Sequence, residues 1–93
     1  MDERDQSSVI CGLQAGDRNA WTALYKGYSA DVWRYVAQLI GPDVSDVADV
    51  VQETFLAAAA SARKFDASQG SLWCWLTGIA HHRVSRYWRQ VNK

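Results

Sequence analysis

The chain is 93 residues long, enough for one domain and little more. Hydrophobic residues make up 48% and charged residues 22%, ordinary globular usage that excludes global disorder; no apolar run approaches the roughly 20 residues a membrane span needs, so a soluble protein is expected. The formal net charge of zero conceals an asymmetry: residues 1–62 carry nine acids against four bases, and residues 63–93 carry six bases (Arg63, Lys64, Arg83, Arg86, Arg89, Lys93) against the single acid Asp66.

The first residues, MDERDQSSV, are acidic and polar and lack the basic start and apolar stretch of a signal peptide. Residues 1–7 are expected to be a disordered tail. A short helix follows around Ser8–Ala15, with Val9, Ile10 and Leu13 on one side and Gly16 as its terminator. Asp17 is a natural N-cap for a second helix, because its carboxylate can accept a free backbone N–H of the first turn. Trp21, Leu24, Tyr25, Tyr28, Val32, Val36 and Leu39 then recur at helical spacing and predict one buried stripe. Gly27 and Ser29 leave open whether 17–40 is one helix or two. Gly41 and Pro42 stop it.

A third helix is expected from about Ser45, which can cap it. Its inward face is Val47, Val50, Val51, Thr54, Phe55, Ala58 and Ala62, and the run Ala57–Ala60 favours helix intrinsically. Residues 65–70 (FDASQG) break the pattern and read as a loop. Ser71 caps a last helix to about Gln90, with Leu72, Trp75, Leu76, Ile79, Ala80 and Val84 facing inward. The fold class is therefore all-α: one small bundle of three to four helices over residues 8–91. Cys11 and Cys74 form neither a disulfide framework nor a CxxC pair, and read as reduced thiols that pack.

The last helix carries the strongest functional pattern. His82, Arg86, Arg89 and Lys93 fall at steps of four, three and four and share a face, with Arg83 at its edge. Trp73, Tyr87 and Trp88 add aromatic surface. Cations spaced along a helix suit backbone phosphates, and aromatics suit unstacked bases. Periodicity by itself fits a solvated basic face equally well. On the third helix Asp46, Asp49 and Glu53 recur at steps of three and four, with Gln52 beside them. Asp46 and Asp49 also favour the helix dipole, whereas Gln52 and Glu53 lie further in. Such a strip complements an Arg-rich protein surface.

Catalysis finds little support. His81 and His82 are adjacent and point about 100° apart on a helix, and Cys74 with His81 supplies two ligands where zinc takes four. No metal, no cofactor and no enzymatic activity are expected.

Three motifs carry a resemblance. The run Asp46-Val-Ala-Asp-Val-Val-Gln-Glu-Thr-Phe55 resembles the core-polymerase-binding helix of extracytoplasmic-function sigma factors of the sigma-70 family, whose pattern is close to D-x-E-D-x-x-Q-E-x-F. Phe65-Asp66, a short polar loop and Trp75-Leu76-x-x-Ile79-Ala80 resemble that family's next segment, and Ala15-Gly16-Asp17-x-x-Ala20-Trp21-x-x-Leu24-Tyr25 resembles its opening. Together they span about residues 9–90 in the family's order. Ala48 stands where Glu is usual, His82 where Asn is common and Arg86 where Asp is common, so the last helix is more basic than typical.

The resemblance implies a bacterial, cytoplasmic transcription initiation factor domain, sigma region 2. Asp46, Asp49, Gln52 and Glu53 would dock on the clamp helices of the largest subunit of core RNA polymerase. The non-template single strand of the promoter −10 element would be recognised and held melted by Arg63, Lys64, Asp66, Ser68, Gln69, Ser71, Trp73, His82, Arg83, Arg86, Tyr87 and Arg89. The loop 66–71 would receive a flipped base. An anti-sigma factor is a further partner of such proteins. Relatives also carry a C-terminal helix-turn-helix domain that reads the −35 element; the sequence stops before it and reads as one domain of a longer factor. The alternative is a helical protein-interaction module without nucleic-acid binding. A helix-turn-helix repressor ranks third, since no tight-turn helix pair precedes the last helix.

Overall fold

The last three helices of the chain each start at a side chain that caps them. The computed structural model describes residues 3–92, with side-chain surroundings from Ser8 onward, Ala67 excepted. It contains α1 (Glu3–Ala15), α2 (Arg18–Ile40), α3 (Val44–Ser61) and α4 (Leu72–Val91), with short 3-10 turns at Ala62–Lys64 and Ala67–Gln69 between α3 and α4. No strand is present among the described residues, so the all-α expectation is met with four helices.

α1 begins at Glu3, earlier than Ser8, so residues 3–7 are helical backbone and not the disordered tail expected from composition. No glycine or proline stands between Glu3 and Cys11, so nothing in the sequence stops the helix from extending backwards. Met1 and Asp2, the rest of that expected tail, lie outside the described residues.

The α1–α2 corner takes two residues. The amide of Gly16 donates to the carbonyl of Leu13 at 3.2 Å and that of Asp17 to the carbonyl of Gly12 at 2.8 Å. This paired closure of a helix end needs the positive φ of +80° that Gly16 supplies. Asp17 then caps α2, its carboxylate accepting from the Asn19 amide at 2.8 Å. α2 runs unbroken to Ile40, since Gly27 is exposed and costs the core nothing. Gly41, at φ +104°, ends it.

α3 is capped by Asp43 and not by Ser45. The Asp43 carboxylate accepts from the Asp46 amide at 3.1 Å, the third helical position, and Ser45 is already inside the first turn. Ser71 caps α4 as expected, accepting from the Cys74 amide at 3.2 Å.

α2 packs against each of the other three helices, α3 packs along α4, and α1 reaches the 62–64 turn. Leu24, Val32 and Val36 from α2, Val47, Thr54 and Ala58 from α3, and Leu72, Leu76 and Ala80 from α4 form the buried centre. The Thr54 hydroxyl, buried among them, donates to the Val50 carbonyl at 2.7 Å and is not left unpaired. All seven residues expected on the inward face of α3 are buried. Of those expected inward on α2, Trp21 and Tyr28 are half-buried and two are exposed: Tyr25 is 48% exposed and Leu39 39%. Leu39 lies in the last turn, past the final core residue Val36, and Tyr25 sits on the flank, meeting Phe55 edge-on with ring centroids 5.0 Å apart.

Candidate nucleic-acid interface

The loop between α3 and α4 is an ordered bracket. Phe65 is buried against Trp75, ring centroids 5.1 Å apart, and its carbonyl accepts from Gln14 of α1 at 2.9 Å. Asp66 turns the chain back on itself: one carboxylate oxygen accepts from the Ser68 amide at 2.9 Å and from the Ser68 hydroxyl at 2.7 Å. Those two bonds hold the Asp66 carboxyl below the usual carboxylate range, so it is ionised at neutral pH. Gly70 lets the chain enter α4 with φ +148°. Lys64, Phe65, Asp66, Gln69, Gly70, Ser71, Cys74 and Trp75 line the resulting depression, about 230 Å³ in volume. Lys64, Asp66, Gln69 and Ser71 are thus brought together, while Ser68 serves Asp66 and Arg63 stands exposed on the neighbouring turn.

One face of α4 continues from this depression. Trp75 borders it; Ile79, His82, Arg86 and Arg89 follow at steps of four, three, four and three on the same side. With Arg83, which is half-buried, the last four of these line a groove of about 380 Å³ between α3 and α4. Its other wall is made by Ala57 and Ser61, small enough to leave the groove open. Among the described residues the one ion pair joins Arg34 to Asp31 on α2, so the α4 arginines face no carboxylate partner. Lys93, expected to extend this face, lies outside the described residues.

The aromatics expected beside the cations are placed differently. Trp73 stacks on Tyr28 of α2 (6.1 Å, 22°) and meets Tyr35 edge-on at 6.4 Å, so it belongs to the α2–α4 contact. Burial and the nearby Asp31 push the Tyr28 hydroxyl pKa up. Tyr87 donates its hydroxyl to Asp46 of α3 at 2.7 Å, a bond that raises the tyrosine's pKa. Trp88 donates its indole N–H to the Leu39 carbonyl at 3.2 Å. Three aromatics flanking the buried line of α4 thus turn toward α2 and α3. Trp75, expected as a core residue, borders the depression together with the buried Phe65. Its position one turn after the cap Ser71, beside a loop, was the available signal.

The acidic strip divides similarly. Asp49, Gln52 and Glu53 are exposed on the outer side of α3, whereas Asp46 is half-buried and engaged by Tyr87. Leu56, 61% exposed, joins the outer group. It was overlooked in the sequence, although it follows Asp49 and Glu53 at helical spacing. Leu56 and Gln52 also border an apolar cleft of about 580 Å³ between α2 and α3, with Trp21, Tyr25, Trp33 and Phe55.

The described residues hold no group of three or more His, Cys, Asp or Glu able to bind a metal, and Cys11 and Cys74 are free and exposed. No described helix is long and apolar enough to cross a membrane.

Comparison with known proteins adds the family. The Sigma-70 region 2 family model matches residues 24–93. The probable RNA polymerase sigma-C factor of Mycobacterium bovis and the ECF RNA polymerase sigma factor SigC of Mycobacterium tuberculosis are each 36% identical over 91 residues, which is 98% of this chain. The chain spans about half (48%) of the length of these curated relatives. Among solved structures, an engineered region 2 of sigmaE, determined by NMR in complex with GTAAAA, matches with a TM-score of 0.81 at 30% identity, covering 97% of this chain and 93% of that one. The four-helix fold and these matches make the family plain: the chain belongs to the sigma-70 region 2 family, with its curated relatives in the extracytoplasmic-function group.

Proposed function

We propose that this domain binds core RNA polymerase and recognises and melts the promoter −10 element by holding the non-template strand, in the bacterial cytoplasm and without catalysing a reaction itself. One observation carries the reading: the loop depression and the unpartnered cations share a continuous face of α4 through Trp75, Ile79 and His82. Four residues of helix rise about 6 Å, so His82, Arg86 and Arg89 offer positive charge at intervals along a strand. A base leaving the stack loses a few kcal/mol of stacking and pairing, offset where polar groups and an aromatic receive it. The depression offers Asp66, Gln69 and Ser71 as polar groups and Trp75 as the aromatic. That the structural neighbour was solved in complex with GTAAAA supports nucleic acid over a purely protein-binding role.

Asp49, Gln52 and Glu53 then serve the polymerase, with Leu56 as an apolar contact among them. Their place on the outer side of α3, apart from the α4 groove, supports simultaneous engagement of both partners.

The test pairs two measurements. Fluorescence anisotropy of labelled GTAAAA should show binding that weakens as salt rises, and weaker binding of a scrambled strand. Capture of core polymerase by the wild-type chain should be lost on Asp49→Arg or Glu53→Arg, with helicity intact by circular dichroism. Strand affinity indifferent to salt and sequence, together with capture unaffected by both reversals, would overturn the assignment.

A further inference from the structure

The core stops before α4 does. Val84 is the last buried residue of the helix, and Arg86 and Arg89 lie beyond it. What fastens these last two turns is the half-buried ring of Tyr87 against the edge of the core, together with two polar contacts. Tyr87 donates to the Asp46 carboxylate at 2.7 Å, and Trp88 donates to the Leu39 carbonyl at 3.2 Å. Among the described residues these are the side-chain hydrogen bonds that join α4 to another helix. Both donors sit between the two arginines in sequence, and their rings meet edge-on at 5.2 Å. Asp46 is itself held, because its amide is capped by Asp43 in the first turn of α3.

We infer that Asp46 and Tyr87 are a positioning pair: their hydrogen bond fixes the direction of the last turns of α4 and so places Arg86 and Arg89 against the strand. The inference rests on the nucleic-acid reading above and deepens it. It takes Asp46 out of the polymerase contact and Tyr87 out of direct base contact. The geometry favours this assignment because the Tyr87 hydroxyl is already committed and its ring is half-buried. A neutral hydroxyl donating to a carboxylate is among the stronger side-chain bonds, and here it joins residues 41 apart in sequence. Without it, the arginine-bearing turns would keep their helix but lose their bearing on the α3–α4 groove.

Four variants test this by labelled-strand anisotropy. Tyr87→Phe removes only the hydroxyl, Asp46→Ala only the acceptor, and the double variant both; Asp46→Asn keeps an acceptor. Each single removal should weaken strand binding about three- to ten-fold, and the double variant no further than either single, since both delete one interaction. Asp46→Asn should retain most of the affinity. In the free chain, Tyr87→Phe should speed hydrogen exchange of amides 86–91 and leave 72–84 unchanged, a local effect that general destabilisation would not give. Losses that add in the double variant would mean that Tyr87 touches the strand itself and would overturn the pair. So would an Asp46→Ala variant that binds like wild type. Failure of the wild-type chain to bind any strand would instead remove the functional reading, and the pair with it.

Discussion

Arg86 and Arg89 carry charges that no described side chain neutralises, unlike Arg34, which is paired with Asp31. Lacking an internal partner, they keep their full interaction for an external anion. Arg86→Ala and Arg89→Ala should each lower single-strand affinity and each flatten the slope of log affinity against log salt by about 0.7, the value of one phosphate contact on a single strand. Arg34→Ala serves as the control with the slope unchanged. Titrations at several salt concentrations decide the matter, and slopes identical to wild type would remove both arginines from the interface. At this scale the cations were legible in the sequence, because helical periodicity alone assigns His82, Arg86 and Arg89 to one face. The aromatics were not. Periodicity says which side of α4 Trp73 and Tyr87 leave from, but their partners are Tyr28, Tyr35 and Asp46 on other helices, and no local pattern reports a neighbour that folding supplies.

At the scale of elements, the 65–71 segment is held at both ends: Gln14 grips the Phe65 carbonyl, Asp66 caps the short turn and Ser71 caps α4. Its tip can therefore change without disturbing the helices it joins. Phosphate contacts position a strand but carry no sequence information, so the proposed function assigns base choice to this loop. Exchanging residues 67–70, between those two caps, for the matching stretch of another sigma factor should shift the preferred −10 base while total affinity changes little. A binding series against strands varied one base at a time measures it; an unchanged preference profile would place the readout on α4. The loop was visible as a break in pattern, and Asp17 and Ser71 were visible as caps, because cap chemistry depends on the residue and its immediate neighbours. Asp43 was overlooked for the same reason that Ser45 looked suitable. Both are good caps two residues apart, and only the path of the chain after Pro42 chooses between them.

The whole molecule, 41 × 21 × 21 Å, separates its surfaces by helix. The acids lie outward on α3, the cations line the α3–α4 groove, and the apolar cleft lies between α2 and α3. Charge asymmetry along the chain foreshadowed the first two; the cleft did not appear in it, because Trp21 and Tyr25 look like core residues until their burial is known. α1 carries none of these surfaces. Its place is fixed by Gly12, where an added Cβ would run into the Cβ of Ala20 on α2, whereas one at Gly78 in α4 would meet open space. Gly12 and Gly78 thus stand under opposite steric constraints. Gly12→Ala must prise α1 from α2 and should lower the melting temperature. Gly78→Ala should raise it, by about 0.5–1 kcal/mol of stability, through the freedom it removes from the unfolded chain. Matched thermal melts of the two variants would show it, and shifts of the same sign would refute it. Position 78 thus has room for a larger residue, whereas the glycine at position 12 is there to leave room for its neighbour.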